Sequence, residues 1–194
     1  MASLGHLAVG VSAARLYRQE IPRRRVPLAS MLVWSALSFL PDADVIGFQF
    51  GIRYADEWGH RGASHSLMFA IAVGAAIGAL APLFKRPALR TAITAILVLA
   101  SHPLLDTLTN GGLGCAVFWP FANTRYFAPW RPIPVSPIGL RFFSPYGMFV
   151  ALVELVVFSP LLWFGLSRTI GRDVTTGPND RKGRRVTIKA DRPR

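Results

Sequence analysis

Apolar residues gather into long runs along this chain. Residues 66–84 carry no charged side chain, and residues 146–166 carry only one, Glu154. Each run is long enough to cross the hydrocarbon core of a membrane as a helix, which takes about 20 residues. The helix of a soluble protein would interrupt such a run with a polar face. The pattern therefore predicts two membrane-spanning helices.

Three further apolar runs are shorter or are interrupted by charge. They are residues 26–40, continued past two aspartates to residue 50, residues 88–105, and residues 4–17. We interpret the first two as spans and the third as either a short span or a helix at the membrane interface. The expected fold is an all-α, polytopic membrane bundle of about five helices.

The two segments without such runs differ from each other. Residues 107–145 are rich in Gly, Pro and aromatic side chains, which predicts a folded cap whose Trp and Tyr side chains suit the membrane interface. Residues 167–194 are basic and nearly free of large apolar groups, which predicts a flexible tail. The chain is thus expected to divide into a membrane-embedded domain, 1–166, and a basic cytoplasmic tail, 167–194.

Composition supports a membrane protein. Hydrophobic residues make up 52% of the chain, and the formal net charge is +12. In a soluble protein such a charge would suggest nucleic acid. Here the basic residues are better explained as cytoplasmic anchors. The expected partner is therefore the lipid bilayer, and no nucleic-acid partner is expected. The single cysteine, Cys115, excludes an internal disulfide.

Lys and Arg also predict an orientation. If the chain crosses the membrane five times, 17 of its 22 Lys and Arg lie on one side and 5 on the other. Because the more basic side is usually cytoplasmic, the C-terminus is expected inside and the N-terminus outside. The location predicted is the cytoplasmic (inner) membrane of a bacterium, crossed several times.

The same topology gathers seven polar residues at the outer helix ends, although none of them was used to derive it. The set includes all four histidines of the chain. Its members are His6, Asp42, Asp44, His60, His65, His102 and Asp106.

Imidazole and carboxylate ligands suit a divalent metal, here Zn, with Mn or Fe as alternatives. His102 and Asp106 are four residues apart, so they share one face of a helix and can bind one ion together. Pro103 lies between them and is expected to loosen the helix there. Seven ligands suffice for two ions, which would polarise an ester and activate water. The sequence therefore predicts a metal site at the extracytoplasmic helix ends.

Each residue also has a plainer interpretation. The two aspartates after Leu40-Pro41 suit a turn or a helix cap, a histidine at a membrane boundary often only donates a hydrogen bond, and Asp106 could pair with Arg61. Glu154, inside its span, either joins the site or pairs with a buried arginine. Four outer arginines could hold an anion such as phosphate or contact headgroups. They are Arg53, Arg61, Arg131 and Arg141.

Four stretches of sequence, together with a histidine near the N-terminus, resemble a known family. The stretches are LPDADVIG, HRGASHSL, SHPLLDTLTNGG and FWPF. In this order, over residues 1–165, they resemble the membrane-bound metal-dependent hydrolases of the LexA-regulated inner-membrane type. The resemblance implies a metal-dependent hydrolase of the bacterial inner membrane, with all seven residues above in matching motifs. Ser64 stands where that family commonly has Thr.

A more distant similarity concerns the His102–Asp106 pair, which is similar to zinc-dependent phospholipase C and P1-type nucleases. This similarity favours a phosphoester, or a phospholipid, as substrate. In the resulting hypothesis Asp42 or Asp44 is a bridging ligand or general base, and Arg61 holds the anion. A metal or proton-coupled transport protein and a non-catalytic scaffold with a structural metal remain as alternatives. The sequence does not indicate the oligomeric state.

Overall fold

The computed structural model describes residues 3–18 and 26–167. Within them the chain forms five α-helices and no strand longer than an isolated bridge. They are α1 (Ser3–Tyr17), α2 (Leu28–Phe39), α3 (Leu67–Leu80), α4 (Ala88–Thr107) and α5 (Pro145–Leu166). The expected all-α fold of about five helices is confirmed. The predicted tail, 167–194, lies outside the described residues except for Ser167.

Four segments are long and apolar enough to cross a membrane. They are Leu28–Phe50, Leu67–Phe84, Ala88–Thr107 and Pro145–Leu166. They include the four runs interpreted as spans from the sequence.

The first helix, α1, has only 15 residues and is not among these four segments. It packs against α2, α4 and α5 and follows most of the length of α4. His6, near its start, lies 3.3 Å from Asp106 at the end of α4, and the Tyr17 hydroxyl lies 2.7 Å from that of Thr91 at the α4 start. Of the two interpretations left open for residues 4–17, the structure favours a helix inside the bundle over one lying on its surface.

Close packing of α3 on α4 depends on two glycines. A Cβ at Gly74 would come within 2.5 Å of Ile96, and one at Gly78 within 2.4 Å of Ala92. Glycines four residues apart let two membrane helices approach closely. In contrast, no Cα atom of α2 lies within 8 Å of one of α3, so a gap separates the two backbones.

Two prolines near the site end stand within helical segments. The chain continues after α2 as a 3-10 helix, Leu40–Phe50, where a turn is predicted. Pro41 is tolerated because it stands in the first turn, where its missing N–H has no partner to lose. Helix α4 runs through Pro103 to Thr107, and both His102 and Asp106 are buried.

The bundle has two chemically different ends. We call one the site end: it contains the starts of α1, α3 and α5, the end of α4 and the 3-10 helix Leu40–Phe50. We call the other the basic end. Its described basic residues are Arg15, Arg18, Lys85, Arg86 and Arg90. There the Arg15 guanidinium donates to the Phe164 carbonyl, and Arg90 donates to the Leu16 carbonyl at 3.1 Å.

Residues 108–144, which we call the cap, fold over the site end. Isolated bridges join Thr109 to Ile133 and Cys115 to Tyr126. Thr109, Ile133 and Cys115 are buried, and Tyr126 is partly exposed. The outer surface of the cap exposes large apolar side chains. They are Phe121 (82% exposed), Trp130 (74%), Leu140 (88%) and Phe143 (74%). Such a surface suits contact with lipid rather than with water.

Candidate metal centre

All seven residues predicted as ligands lie at the site end and are largely or fully buried there. Their oxygen and nitrogen atoms form two overlapping groups in which all ligand atoms lie within 4.8 Å of one another. One group is Asp42, His65, His102 and Asp106, and the other is Asp44, His60 and His65. His6 lies beside the first group.

Three of these residues form a compact triangle. The Nε2 atoms of His65 and His102 are 3.1 Å apart, and Asp42 Oδ1 lies 3.5 Å from the first and 3.4 Å from the second. Two ligands on one tetrahedral zinc ion, each about 2.0–2.1 Å from it, are about 3.3 Å apart. The triangle therefore has the dimensions of one face of such a coordination shell.

Hydrogen bonds on the far side of each imidazole fix which nitrogen faces the triangle. His102 Nδ1 lies 2.7 Å from the Ser38 carbonyl, which can only accept, so Nδ1 carries the proton. His65 Nδ1 lies 3.1 Å from Asp44 Oδ2 and donates to that carboxylate. In their neutral forms both rings then turn an unprotonated Nε2 toward Asp42. A carboxylate or carbonyl behind a ligating histidine is the usual arrangement around protein-bound metals.

A cation between these three groups would offset the repulsion among them. Two nitrogen lone pairs and a carboxylate face one another, and neither oxygen of Asp42 has a hydrogen-bond partner within the described residues. An unpaired buried carboxylate is costly. Burial lowers the pKa of His65, yet the nearby carboxylates of Asp42 and Asp44 outweigh that effect, so this pKa is raised. The residues present thus fit a divalent metal ion.

Asp44 differs from Asp42 because donors already surround its carboxylate. Its Oδ1 lies 2.7 Å from His60 Nδ1, and its Oδ2 accepts from the Ser64 hydroxyl at 2.7 Å and from the Arg61 backbone N–H at 3.2 Å. With His65 this makes four donors. The geometry suits a residue that orients histidines better than one that binds the metal directly.

Asp106 is placed between two cationic or protonatable groups. Its Oδ2 lies 3.1 Å from Arg61 Nε and 3.8 Å from His65 Nε2, and its Oδ1 lies 3.3 Å from His6 Nε2. The His6 ring also stacks on that of His102, with centroids 3.7 Å apart. Asp106 thus belongs with Asp42, His65 and His102 to one group of candidate ligands, and Arg61 and His6 hold its carboxylate from two sides.

Arg61 is entirely buried and anchors the cap. Its guanidinium donates to the Gly111 carbonyl at 2.8 Å and to the Thr109 hydroxyl at 2.9 Å, and its own carbonyl accepts from Ala116 at 2.9 Å. Burial disfavours its charge, but Asp106 opposes that effect, and the pKa of Arg61 is raised. Its backbone has a φ of 65°, which costs energy for a non-glycine residue. That Arg61 holds an anion stays a prediction.

Glu154 lies just below this site and contacts the start of α1. The Leu4 backbone N–H donates to its Oε2 at 2.6 Å. A carboxylate there suits the positive end of the helix dipole. Glu154 is 1% exposed, and it belongs to neither group of candidate ligands. The sequence left two roles open for Glu154, joining the site or pairing with a buried arginine. The contact with Leu4 favours neither and indicates a third role, as a cap for α1, the helix that carries His6.

Some participants escape sequence analysis. The Ser38 carbonyl carries no side-chain signal, and Thr109 is one of several hydroxyls in its loop. Ser64 stands inside the HRGASHSL stretch, where a hydroxyl between two ligand candidates was a usable signal. Burial raises the pKa of Cys115 to about 12, so this residue is a neutral thiol and offers no thiolate ligand.

Comparison with known proteins places the chain in a membrane context. The YdjM inner membrane protein family matches residues 1–170. A protein of Escherichia coli (strain K12), inner membrane protein YbcI, is 38% identical over 151 residues, covering 73% of this chain and 79% of that protein. No solved structure matches the chain.

Proposed function

The chain belongs to the YdjM inner membrane protein family, and we propose that within the membrane it acts as a metal-dependent hydrolase. One observation carries the proposal. Two imidazole nitrogens and an otherwise unpaired carboxylate, from His65, His102 and Asp42, converge at spacings of 3.1, 3.4 and 3.5 Å. Two histidines and one carboxylate are the ligand set of zinc hydrolases that keep a position open for water or substrate.

A divalent ion held by these residues supplies a polarised ester oxygen and an acidified water molecule. The protein supplies the rest. Asp44 orients His65, and the Ser38 carbonyl orients His102, so both Nε2 atoms stay directed at the ion. Without these bonds the rings would sample other rotamers and bind the ion less tightly.

Asp106 is the residue we assign to proton transfer. Its Oδ2 lies 3.8 Å from His65 Nε2, and it would accept the proton of a water molecule that an ion bound by the ligands acidifies. Arg61 and His6 restrain its two oxygens. This assignment differs from the sequence-based hypothesis, in which Asp42 or Asp44 served as the base, because here Asp42 is needed as a ligand and Asp44 is saturated with donors.

The proposed substrate is a phosphoester presented at the membrane surface. The resemblance of the His102–Asp106 pair to phosphoesterases favours this class. The exposed aromatic surface of the cap supports it, because side chains such as Trp130 and Phe143 prefer the interface where phospholipid headgroups lie.

The test uses the purified full-length chain in a mild detergent. We expect a bound transition metal by elemental analysis, phosphodiesterase or phosphomonoesterase turnover that is lost on chelation, and recovery when a divalent ion is returned. Asp42→Asn should abolish both metal and turnover. Asp56→Asn is the matched control, since Asp56 lies in the loop between the two motifs and its carboxylate hydrogen-bonds Arg53, outside both groups of candidate ligands.

Two results would contradict the proposal in different ways. A metal-free wild-type protein would remove the metal centre itself. A metal-loaded protein that is inert on phosphodiesters, phosphomonoesters and phospholipids, yet moves ions across liposomes, would replace hydrolysis by transport.

A further inference from the structure

A large cavity lies between α2 and α3, and it runs from the basic end of the bundle along α2. Its volume is about 660 Å³, within the range of about 300–1,000 Å³ typical of ligand pockets. Residues of α2 form the largest part of the wall, and α1 and α4 contribute Tyr17 and Thr91. The apolar lining includes Val33, Trp34, Leu37, Leu40 and, from α3, Ile77.

The cavity has the length of one leaflet. It follows α2 from Ala29 to Leu40, which at about 1.5 Å per residue is about 16 Å. Half of a hydrocarbon core about 30 Å thick is about 15 Å. An extended acyl chain entering from one membrane surface would therefore reach the inner end of the cavity.

The mouth of the cavity is cationic. Arg18 and Arg86 line it at the basic end of the bundle. Guanidinium groups bind phosphate well, and basic pockets between membrane helices are typical sites for anionic lipid headgroups. The body of the cavity is mainly apolar, and among the described residues its charged lining, Arg18 and Arg86, stands at one end. This distribution suits an amphipathic anion as the ligand.

From these features we infer that the gap between α2 and α3 binds one anionic phospholipid, with its phosphate at Arg18 and Arg86 and an acyl chain along α2. This lipid is not the proposed substrate. Its phosphate lies at the opposite end of α2 from Asp42, and the inference stands whether or not the metal centre is catalytic.

Native mass spectrometry of the full-length chain in a neutral detergent tests the inference. The probes are dioleoyl phosphatidylglycerol and dioleoyl phosphatidylcholine, which share acyl chains and differ in charge. We expect phosphatidylglycerol to bind several-fold more tightly. Arg86→Gln should weaken its binding by about 5-fold, since a basic residue near an anionic headgroup contributes about 1 kcal/mol. Lys85→Gln is the matched control, because Lys85 is the exposed neighbour and does not line the cavity.

A second variant tests the acyl-chain path. Ala36 lines the cavity and is exposed to it, so Ala36→Phe fills space without disturbing the core, and it should abolish binding of both lipids. Ala75→Phe, at an exposed position on α3 outside the cavity, should leave binding unchanged. Equal affinity for the two lipids, or unchanged binding in Ala36→Phe, would overturn the inference.

Discussion

Whether a side chain already has partners separates residues that look alike in sequence. Asp42 and Asp44 are two positions apart in the same LPDADVIG stretch. Both oxygens of Asp42 lack a hydrogen bond in the described residues, whereas those of Asp44 meet donors from His60, Ser64 and the Arg61 backbone. A carboxylate without donors is available to a cation, and one with its lone pairs occupied is not.

This difference predicts unequal effects of two matched substitutions on metal affinity. Asp42→Asn removes a ligand and should leave no measurable transition metal after purification. Asp44→Asn keeps the shape but weakens the support of His65, so metal affinity should fall by about 10- to 100-fold while binding persists. Competition with a chromogenic chelator measures both. Equal loss in the two variants would show that Asp44 is itself a ligand.

Arg61 leads to a prediction about stability. Arg61→Ala would leave the Asp106 carboxylate buried without the Arg61 guanidinium and would remove the two side-chain hydrogen bonds from Arg61 to the cap. Removing one partner of a buried ion pair costs about 3–5 kcal/mol. We expect the free energy of unfolding in detergent to fall by about that amount, as measured by denaturant titration.

Arg53→Ala is the comparison, because the Arg53 side chain is 85% exposed and pairs only with Asp56. It should change stability little. If Arg61→Ala also leaves stability unchanged but weakens substrate binding, the anion-holding role predicted from the sequence is the correct one.

At the scale of elements, short helices depend on what holds their ends. Helix α1 is 15 residues long, yet it positions His6 beside Asp106. At the start of α1, the Leu4 backbone N–H donates a hydrogen bond to Glu154 of α5. Near the end of α1, the Arg15 side chain donates to the Phe164 carbonyl at the end of α5. Side chains from two neighbouring helices thus satisfy backbone groups that a helix terminus leaves unpaired.

Substituting Glu154 distinguishes a helix cap from a metal ligand. Glu154→Gln retains an acceptor oxygen and should preserve both the melting temperature and the metal content. Glu154→Leu removes the acceptor and should lower stability by about 1 kcal/mol, typical of a lost cap, with the metal retained. Thermal melts and elemental analysis of the same preparations provide the measurements. Metal loss in Glu154→Gln would instead make Glu154 a ligand.

For the whole molecule, the metal and the fold are expected to be coupled. The proposed ligands come from the 3-10 helix, the start of α3 and the end of α4, so an ion held by them joins three elements. A ligand that binds only the folded state stabilises it, by about 2.7 kcal/mol at 100 times its dissociation constant. Chelation should therefore lower the melting temperature of the wild type, and it should have no effect in Asp42→Asn.

The orientation in the membrane is a second property of the whole chain. Arg15, Arg18, Lys85, Arg86 and Arg90 all lie at the basic end, as the charge pattern requires. We predict that a reporter fused after Arg194 is cytoplasmic and that one inserted near Asn123, in the cap, is outside. Reporters found on the same side of the membrane would contradict this topology.

The sequence by itself determined the class of fold and the members of the site. Long runs without charge leave a helix no stable place but a membrane, and this follows from local composition. The separation of Lys and Arg into alternate loops followed in the same way. The sequence also predicted that His6, His65 and His102 lie at one end of the bundle, because the ends of successive spans must alternate between two membrane surfaces.

Only the tertiary structure decided how those members are paired. Asp42 and Asp44, two positions apart, take different partners, and the pairing of Arg61 with Asp106, one of several alternatives in the sequence, is the one that the structure shows. Such choices depend on distances of a few tenths of an ångström between helices far apart along the chain. The effects of hydrophobicity and charge are sums over many residues, so the sequence pattern alone predicts them. The availability of a single lone pair depends on three-dimensional packing.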